Sequence, residues 1–192
     1  MVTTSTPRSR ATRDRILEAA RTTFASQGYD GATLRNIALQ ANTNVALVIR
    51  YFDSKDDLFA MAVDFDLQLP PLDKLNRDML GELLVAHFLT IWDENRSGRE
   101  LVALLRAAAS HAAAKARMKQ IFQAQLLGAI GCLGFPPEEA VTRASLVASQ
   151  MLGFALIRYV LEFDSRSLDS ETVVSALGRT IQHYLCEPLK TC

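Results

Sequence analysis

The sequence predicts an all-α fold. Apolar residues recur at three- and four-residue spacing over most of the chain, which is the period of an amphipathic helix. Strand-like alternation of apolar and polar residues is absent, and glycine and proline fall at the joints between periodic segments. With 192 residues, of which 49% are hydrophobic, the chain is long enough to form one domain or two small ones around a real core.

The first predicted helix runs from about Ser9 to Gln27. Gly28 is a suitable C′ residue because glycine adopts the left-handed conformation at little cost. Residues 1–9 are small, polar and basic, and we expect them to form a flexible arm. One apolar stripe marks the face of this helix that should be buried: Ile16, Leu17, Ala20 and Phe24.

Two short helices follow, and each begins at a residue that commonly caps helices. Thr33 should cap a helix over 34–41, and Asn44 should cap a helix over 45–52. Between them Asn42 suits a left-handed turn. Two short helices joined by a tight turn, with another helix before them, form a helix-turn-helix arrangement. The alternative at this point is a set of ordinary helical hairpins in a core.

Longer helices are predicted after this motif. Ser54 should cap a fourth helix that ends before Pro70, and Asp57 would complete a capping box. Breaks fall at Ser97-Gly98, at His111, and at two further loops. The later helices are expected over 73–95, 99–109, 112–133, 138–163 and 170–186, and the predicted regions are an arm over 1–9, a helix-turn-helix domain over 10–54 and a helical body over 55–192.

The charge distribution favours a polyanionic partner at one end of the chain. Formal net charge is zero, but eight basic residues stand against four acidic ones up to Lys55. Three scattered cysteines include no CxxC pair, so neither a zinc site nor a disulfide framework is indicated. The N-terminus has no apolar signal segment, and no apolar run approaches the ~20 residues of a membrane span. We therefore expect a cytoplasmic protein without a membrane partner or cofactor.

Enzymatic function is not indicated by any motif. Three histidines, separated in sequence, form no HExxH set, and no GxSxG, P-loop or GxGxxG pattern is present. The adjacent carboxylates Asp56 and Asp57 most simply serve the start of a helix. We expect neither catalytic residues nor a metal site.

The N-terminal third strongly resembles the TetR family of bacterial transcriptional regulators. The resemblance covers roughly residues 10 to 63, and its most specific parts are "RILEAARTTFASQGYDGATLRNIA" and "YFDSKDDLF". It implies about nine helices, a homodimer and a ligand-regulated C-terminal domain. The chain departs from the family where the turn usually reads Ala-Gly-Val-Ser and here reads "ANTN". It also carries Leu47 and Ile49 where the family usually has a small or hydroxyl residue and a tyrosine.

The predicted recognition helix separates into two faces when its residues are placed about 100° apart. Val48 and Phe52 fall on the face that should be buried, and Arg50 lies opposite. Ala46 and Leu47 could pack on thymine methyl groups, while Arg50 could bond to guanine or phosphate. The resemblance adds residues that commonly contact bases or phosphates, so the predicted DNA-binding set is Thr33, Arg35, Asn44, Val45, Ala46, Leu47, Arg50, Tyr51 and Lys55. For each basic residue, including those of the arm, the alternative is a solvated surface charge.

The body is expected to hold a dimer interface and an effector pocket. Helix 138–163 is apolar most of the way round, so it should face both its own core and a partner; a central helix buried in a monomer is the alternative. The predicted interface residues are Ser149, Gly153, Ile157, Leu177, Ile181 and Tyr184. Large and adaptable side chains suit an apolar ligand, although such residues also form ordinary cores; the predicted pocket residues are Phe65, Phe88, Trp92, Met118, Phe122, Met151, Phe154 and Tyr159.

The resemblance to the TetR family further implies that the protein is a repressor. The expected partners are a palindromic double-stranded operator, a second copy of the chain and a small-molecule effector that releases the DNA. The alternative function is a helical, dimeric ligand-binding protein of the same fold that has lost specific DNA binding, since the middle of the recognition helix is so apolar.

Overall fold

The computed structural model describes residues 7–63, 65–93, 97–163 and 168–189, and every regular element among them is helical. The α-helices are α1 (Pro7–Gly31), α2 (Leu34–Gln40), α3 (Val45–Phe52), α4 (Lys55–Ala62), α5 (Leu80–Asp93), α6 (Ser97–Ala108), α7 (Ala112–Ile121), α8 (Leu127–Gly131), α9 (Pro137–Ala155) and α10 (Ser170–Cys186). A π-helical turn, Phe122–Leu126, makes α7 and α8 continuous, so the described residues form nine helical segments. The predicted all-α fold is confirmed.

The chain divides into two compact units, and the division differs from the boundary predicted at residue 54. One unit contains Met1–Asp64 together with Arg99–Met118, and the other contains Phe65–Gly98 with Lys119–Cys192. Helix α4 therefore belongs with the helix-turn-helix motif, where it packs against α1. The segment over 99–118 joins the same unit although it lies far away in sequence.

Local side-chain bonds start the short helices of the first unit where the sequence predicts them. Thr33 Oγ1 accepts the amide of Asn36 at 3.1 Å, and Asn44 Oδ1 accepts the amide of Leu47 at 2.8 Å. Ser54 Oγ accepts the amide of Asp57 at 3.0 Å at the start of α4. Asn42 has a φ of 49°, so the turn between α2 and α3 uses the left-handed conformation as expected.

The first helix is longer than predicted at both ends. It begins at Pro7, a residue favoured in a first helical turn, so the predicted start at residue 9 is two residues late. Residues 1–6 of the predicted arm lie outside the described residues. Gly28 takes the predicted left-handed φ of 70°, but helical turns resume after it as far as Gly31. The stripe predicted to be buried, including Ile16 and Phe24, is buried in the core of this unit.

Helices α5 and α10 pack closely in the second unit because glycines lie at their contact. A Cβ atom on Gly81 would overlap the carbonyl oxygen of Gly178, so the two backbones approach without intervening side chains. Gln182 secures the contact: its Oε1 accepts the amide of Gly81 at 2.8 Å, and its Nε2 donates to the carbonyl of Arg77 at 2.7 Å. Around this pair lies a core that includes Leu84, Val85, Ala144, Val147, Ile181 and Leu185.

A buried arginine joins α9 to the end of α10. The side chain of Arg143 is 3% exposed, and its guanidinium donates to the carbonyls of Tyr184 and Glu187 at 2.5 and 2.9 Å. It also bonds to Glu139 at 2.6 Å and lies 4.1 Å from the ring centroid of Phe135. The last carbonyls of a helix have no partner within the helix, and a cation is favoured there by the helix dipole. Arg143 therefore closes the C-terminus of α10.

Several predicted helices of the body are interrupted or shorter. The helix predicted over 73–95 is replaced by two 3₁₀ turns, Leu72–Lys74 and Arg77–Met79, before α5 begins at Leu80. Asn76 accounts for the second turn, since its side chain accepts the amide of Asp78 in a short local bond. The helix predicted over 138–163 ends in a π-helical turn, Leu156–Val160.

The same helix qualifies the expectation that no stretch could span a membrane. By length and composition alone, Pro137–Val160 is long and apolar enough to do so. One such helix is weak evidence, because the core helix of a soluble protein has the same composition. Here Ala144, Val147 and Met151 lie in the core of the second unit, and 33% of the apolar stretch is buried.

Candidate nucleic-acid interface

Helix α3 has one buried face, which holds it against the rest of the first unit. Val48 is fully buried and Phe52 nearly so, as the angular positions predict, while Val45 is half-buried. The guanidinium of Arg13 lies 5.4 Å from the ring centroid of Phe52, so α1 covers the end of this face. Because these residues are held by the core, the opposite face is the one available to a ligand.

The opposite face is apolar with one cation. Ala46 and Arg50 are exposed, and Leu47 is half-buried. Ile49, whose position falls between the two faces of the helix, is 46% exposed. It adds a branched apolar side chain one turn after Ala46. Its angular position between the buried and the exposed face is the sequence signal that could have identified it as a candidate contact. Methyl groups can recognise thymine but cannot form hydrogen bonds to bases.

Tyr51 lies on the flank of α3 and contacts the first turns of α1. Its hydroxyl donates to Ser9 Oγ at 3.0 Å, so the proton that would bond to a phosphate is used within the unit. Ser9 keeps its own hydroxyl proton for a further acceptor. Sequence reasoning did not single out Ser9, because only the fold brings it beside the recognition helix.

The residues that begin α2 and α3 retain donors after capping their helices. Thr33 is exposed and uses its oxygen as an acceptor within α2, so its hydroxyl proton remains for a phosphate oxygen. Asn44 is exposed and uses only its carbonyl oxygen as a cap. Arg35 is exposed on α2. Such donors near the start of a helix are suited to phosphate binding.

Lys55 is the first residue of α4, and its ammonium group has an aromatic partner. The Nζ atom lies 4.4 Å from the ring centroid of Tyr29, and the side chain is half-buried. The Tyr29 hydroxyl donates to the carboxylate of Asp56. The Lys55 ammonium group is therefore placed over the ring of Tyr29 at the start of α4.

In the second unit, four of the predicted pocket residues form a continuous series of rings. Phe88 lies 5.3 Å from Trp92 and 6.2 Å from Phe154 between ring centroids, and Trp92 stacks on Tyr159 at 5.3 Å. The Tyr159 hydroxyl donates to Asp93 at 2.8 Å. Burial, followed by this bond to a carboxylate, raises the pKa of the Tyr159 hydroxyl well above its ordinary value.

The other predicted pocket residues are dispersed. Met151 is buried in the core of the second unit, and Phe122 packs against that core. Phe65 is buried in the chain segment before α5, where its carbonyl accepts a bond from Gln125 at 2.9 Å. Met118 belongs to the first unit and is not among these rings.

The predicted dimer residues include one that the structure corrects. Ile181 is 0% exposed in the core beside α5, so it cannot contact a second subunit. This position of α10 is apolar because it packs inside the subunit. Ser149 and Ile157 are exposed, whereas Gly153, Leu177 and Tyr184 are half-buried. A Cβ built on Gly153 meets no atom within 4 Å, so this part of α9 is open.

Two family profiles match the chain. The profile described as bacterial regulatory proteins of the tetR family matches residues 16–62, and the tetracyclin repressor-like C-terminal domain matches residues 78–185. The second match covers more than half of the chain, including all of α5 to α9 and nearly all of α10.

Characterised relatives and solved structures are consistent with these profiles. The negative transcriptional regulator IcaR of Staphylococcus aureus is 39% identical over 51 residues, which is 27% of each chain. The transcriptional repressor NicS of Pseudomonas putida is 30% identical over 130 residues, 64% of this chain and 59% of NicS. The chain thus matches less than two thirds of the length of either relative.

Solved structures match over greater lengths. A TetR-family regulator from Streptomyces coelicolor A3 has a TM-score of 0.65 and 30% identity, covering 93% of this chain and 97% of that one. NalD of Pseudomonas aeruginosa, the secondary repressor of a multidrug efflux pump, also has a TM-score of 0.65, at 20% identity over 95% of this chain and the whole of NalD. The latter similarity concerns the fold alone.

Proposed function

The chain belongs to the TetR family of bacterial transcriptional regulators, and from this premise we propose that it is a cytoplasmic repressor that binds a palindromic operator as a homodimer. The observation that carries the proposal is the division of α3 into a buried face and an exposed one. Val48 and Phe52 anchor the helix, and Ala46, Ile49 and Arg50 are left at the surface. A helix held in this way can enter a major groove as a rigid reader.

The proposed contacts divide into two chemical classes. Thr33, Asn44 and Lys55 lie at helix starts and carry donors for phosphate, as does Ser9 in the first turn of α1, to which Tyr51 bonds from the end of α3. Arg35 and Arg50 supply cations for phosphate or guanine. Ala46, Leu47 and Ile49, beside half-buried Val45, form the apolar base-reading set. We infer that affinity depends mainly on phosphate contacts and that sequence preference depends on thymine methyl groups.

The test begins with selection of genomic DNA fragments by the purified protein. Two inverted half-sites about one helical turn apart are expected for a two-fold dimer. Lys55→Ala should weaken binding about equally on all sequences and lower the slope of log affinity against log salt by about 0.9 for each subunit of the dimer. Leu47→Ala should instead relax preference at one A·T position.

Replacement of thymine by deoxyuridine gives a direct test of methyl readout, since it removes only the methyl group. We expect one or more positions of each half-site to lose affinity on this replacement, and the loss should disappear in Leu47→Ala or Ile49→Ala. Unchanged binding at every uracil-substituted position would exclude methyl readout, although DNA binding itself would stand.

We also propose that the effector is a small apolar molecule bound beside the aromatic rings of the second unit. Trp92 is the only tryptophan of the chain and lies between Phe88 and Tyr159, so its fluorescence should report binding. A library of apolar aromatic compounds can be screened by this signal and then tested for release of DNA. A compound that binds more tightly to the free protein must weaken operator binding by the same factor.

A second function remains as a candidate because the exposed middle of α3 is so apolar. In that case the protein would be a dimeric ligand-binding protein without specific DNA binding. Salt-dependent binding to the selected fragments, with a preference over unrelated DNA, would exclude it. Binding of equal strength to all sequences would support it.

A further inference from the structure

We propose that Tyr29 is a positioning residue for the phosphate contact of Lys55, and that the α6–α7 segment supports its ring. This inference rests on the proposed DNA-binding function. Tyr29 lies just after Gly28, whose left-handed conformation redirects the end of α1. Its ring faces the Lys55 ammonium at 4.4 Å, and its hydroxyl bonds to Asp56, so one side chain contacts two successive residues at the start of α4.

The ring of Tyr29 is itself held by three parts of the first unit. Phe59 of α4 packs edge-on at 5.0 Å between centroids, and Phe24 of α1 stacks at 6.1 Å. His111, at the junction of α6 and α7, lies 4.1 Å away. Because α1, α4 and the α6–α7 junction all contact the ring, the ring cannot readily follow movements of the Lys55 side chain. It is a fixed surface for a flexible side chain.

His111 also lies close to the residue that follows Tyr29. Its Nε2 atom is 3.0 Å from Asp30 Oδ1, without the alignment of a hydrogen bond. The same segment also reaches the other end of α4, where Arg117 Nε donates to the carbonyl of Val63 at 2.9 Å. Residues 99–118 thus contact the end of α4 directly and its start through Tyr29, and they group with the helix-turn-helix motif.

A surface lysine gains from such support. Its long side chain samples many rotamers, and ordering them opposes any contact it makes. A cation held over an aromatic face is partly ordered before the phosphate arrives, so less entropy is lost on binding. The ring also keeps the ammonium group accessible, because cation–π contact occupies one side of the cation and leaves its other N–H groups as donors.

The experiment is a double-mutant cycle in DNA affinity. The full chain and the variants Tyr29→Leu, Lys55→Ala and their combination are titrated against the selected operator at several salt concentrations. Lys55→Ala is expected to weaken binding roughly tenfold, as loss of a charge-assisted contact should. Tyr29→Leu is expected to weaken binding about two- to fivefold by releasing the cation–π contact, but to have no further effect once Lys55 is replaced.

Two further variants separate positioning from general packing. Tyr29→Phe keeps the ring and removes the bond to Asp56, so the contribution of Lys55 should persist. Ile16→Val trims the core of the same unit but leaves every ring that contacts Tyr29 in place, and its effect should be the same with Lys55 present or replaced. A loss from Tyr29→Leu that is equal in both Lys55 backgrounds would show that Tyr29 is only structural and would overturn the proposal.

A measurement on the unaltered protein covers the case in which Tyr29→Leu does not fold. The Lys55 side-chain protons should show an upfield ring-current shift by NMR, and this shift should remain when the operator binds. Its disappearance on binding would mean that Lys55 leaves the ring to reach the phosphate, and the proposal would be wrong. Failure of the unaltered protein to bind any DNA overturns the proposed function, and the positioning role with it.

Discussion

Replacing Arg143 with methionine is expected to lower the free energy of unfolding by about 3 kcal/mol. The side chain is 3% exposed and donates to two backbone carbonyls at the end of α10, those of Tyr184 and Glu187. Methionine fills a similar volume but supplies no donor. The substitution therefore tests the polar role of the residue and keeps most of its packing.

The magnitude follows from what each partner loses. The carbonyl of Tyr184 belongs to a half-buried residue, and leaving it without a donor costs about 2 kcal/mol. Glu187 is exposed, so water can replace part of the bond and the cost falls to about 1 kcal/mol. The carboxylate of Glu139 is 39% exposed and rehydrates, so its lost ion pair adds little. Glu139→Gln alone should accordingly cost less than about 1 kcal/mol.

Urea unfolding followed by circular dichroism measures the effect. Protein concentration must be held constant, because dimerisation would make the midpoint depend on it. Arg179→Met, which replaces an exposed arginine on α10, is the matched control and should change stability by less than about 0.5 kcal/mol. Equal stabilities of Arg143→Met and Arg179→Met would refute the assignment of Arg143 as the cap of α10.

Two other expectations concern backbone positions, and a third concerns an ionisable helix cap. Gly81→Ala should cost at least about 1–3 kcal/mol because its Cβ overlaps α10, whereas Gly128→Ala, which meets no atom within 4 Å, should stabilise; equal urea midpoints would contradict this contrast. Asn42→Val should cost about 1–2 kcal/mol at its left-handed φ while Asn42→Gly is close to neutral, and thermal unfolding distinguishes them. Amide bonds lower the pKa of Asp169, so its stabilising effect is present above the ordinary carboxyl pKa and lost as pH falls through the lowered value; carbon-13 NMR titration measures this, and Asp169→Asn should remove the pH dependence.

The elements that sequence reasoning located best are those whose causes are local. Thr33, Asn44 and Ser54 each cap a helix by accepting an amide three residues on, so a short stretch contains the whole interaction. The left-handed φ of Asn42 follows from a similarly local preference. These four residues explain why the bounds of α3, and nearly those of α2, agree with the prediction.

Features with distant causes were not predictable in this way. The pattern of α10 shows that Ile181 is apolar, but a core and a subunit interface require the same pattern. Only the close approach of Gly81 to Gly178 reveals that α5 covers it. Likewise the grouping of residues 99–118 with the first unit depends on contacts such as Arg117 with Val63, between residues far apart in sequence.

The candidate interface has both local and distant causes. Its phosphate contacts and its apolar base contacts can be separated by experiment. The buried anchors of α3 were predictable from angle alone, whereas the partial exposure of Ile49 and the pairing of Tyr51 with Ser9 required the fold. Phosphate candidates cluster at helix starts and apolar candidates on the middle of α3. Salt concentration changes the contribution of the first set, and removal of the thymine methyl group changes the contribution of the second. Since Lys55 belongs to the first set only, replacing it should change the salt slope and leave the penalty for uracil unaltered, while replacing Ile49 should do the reverse.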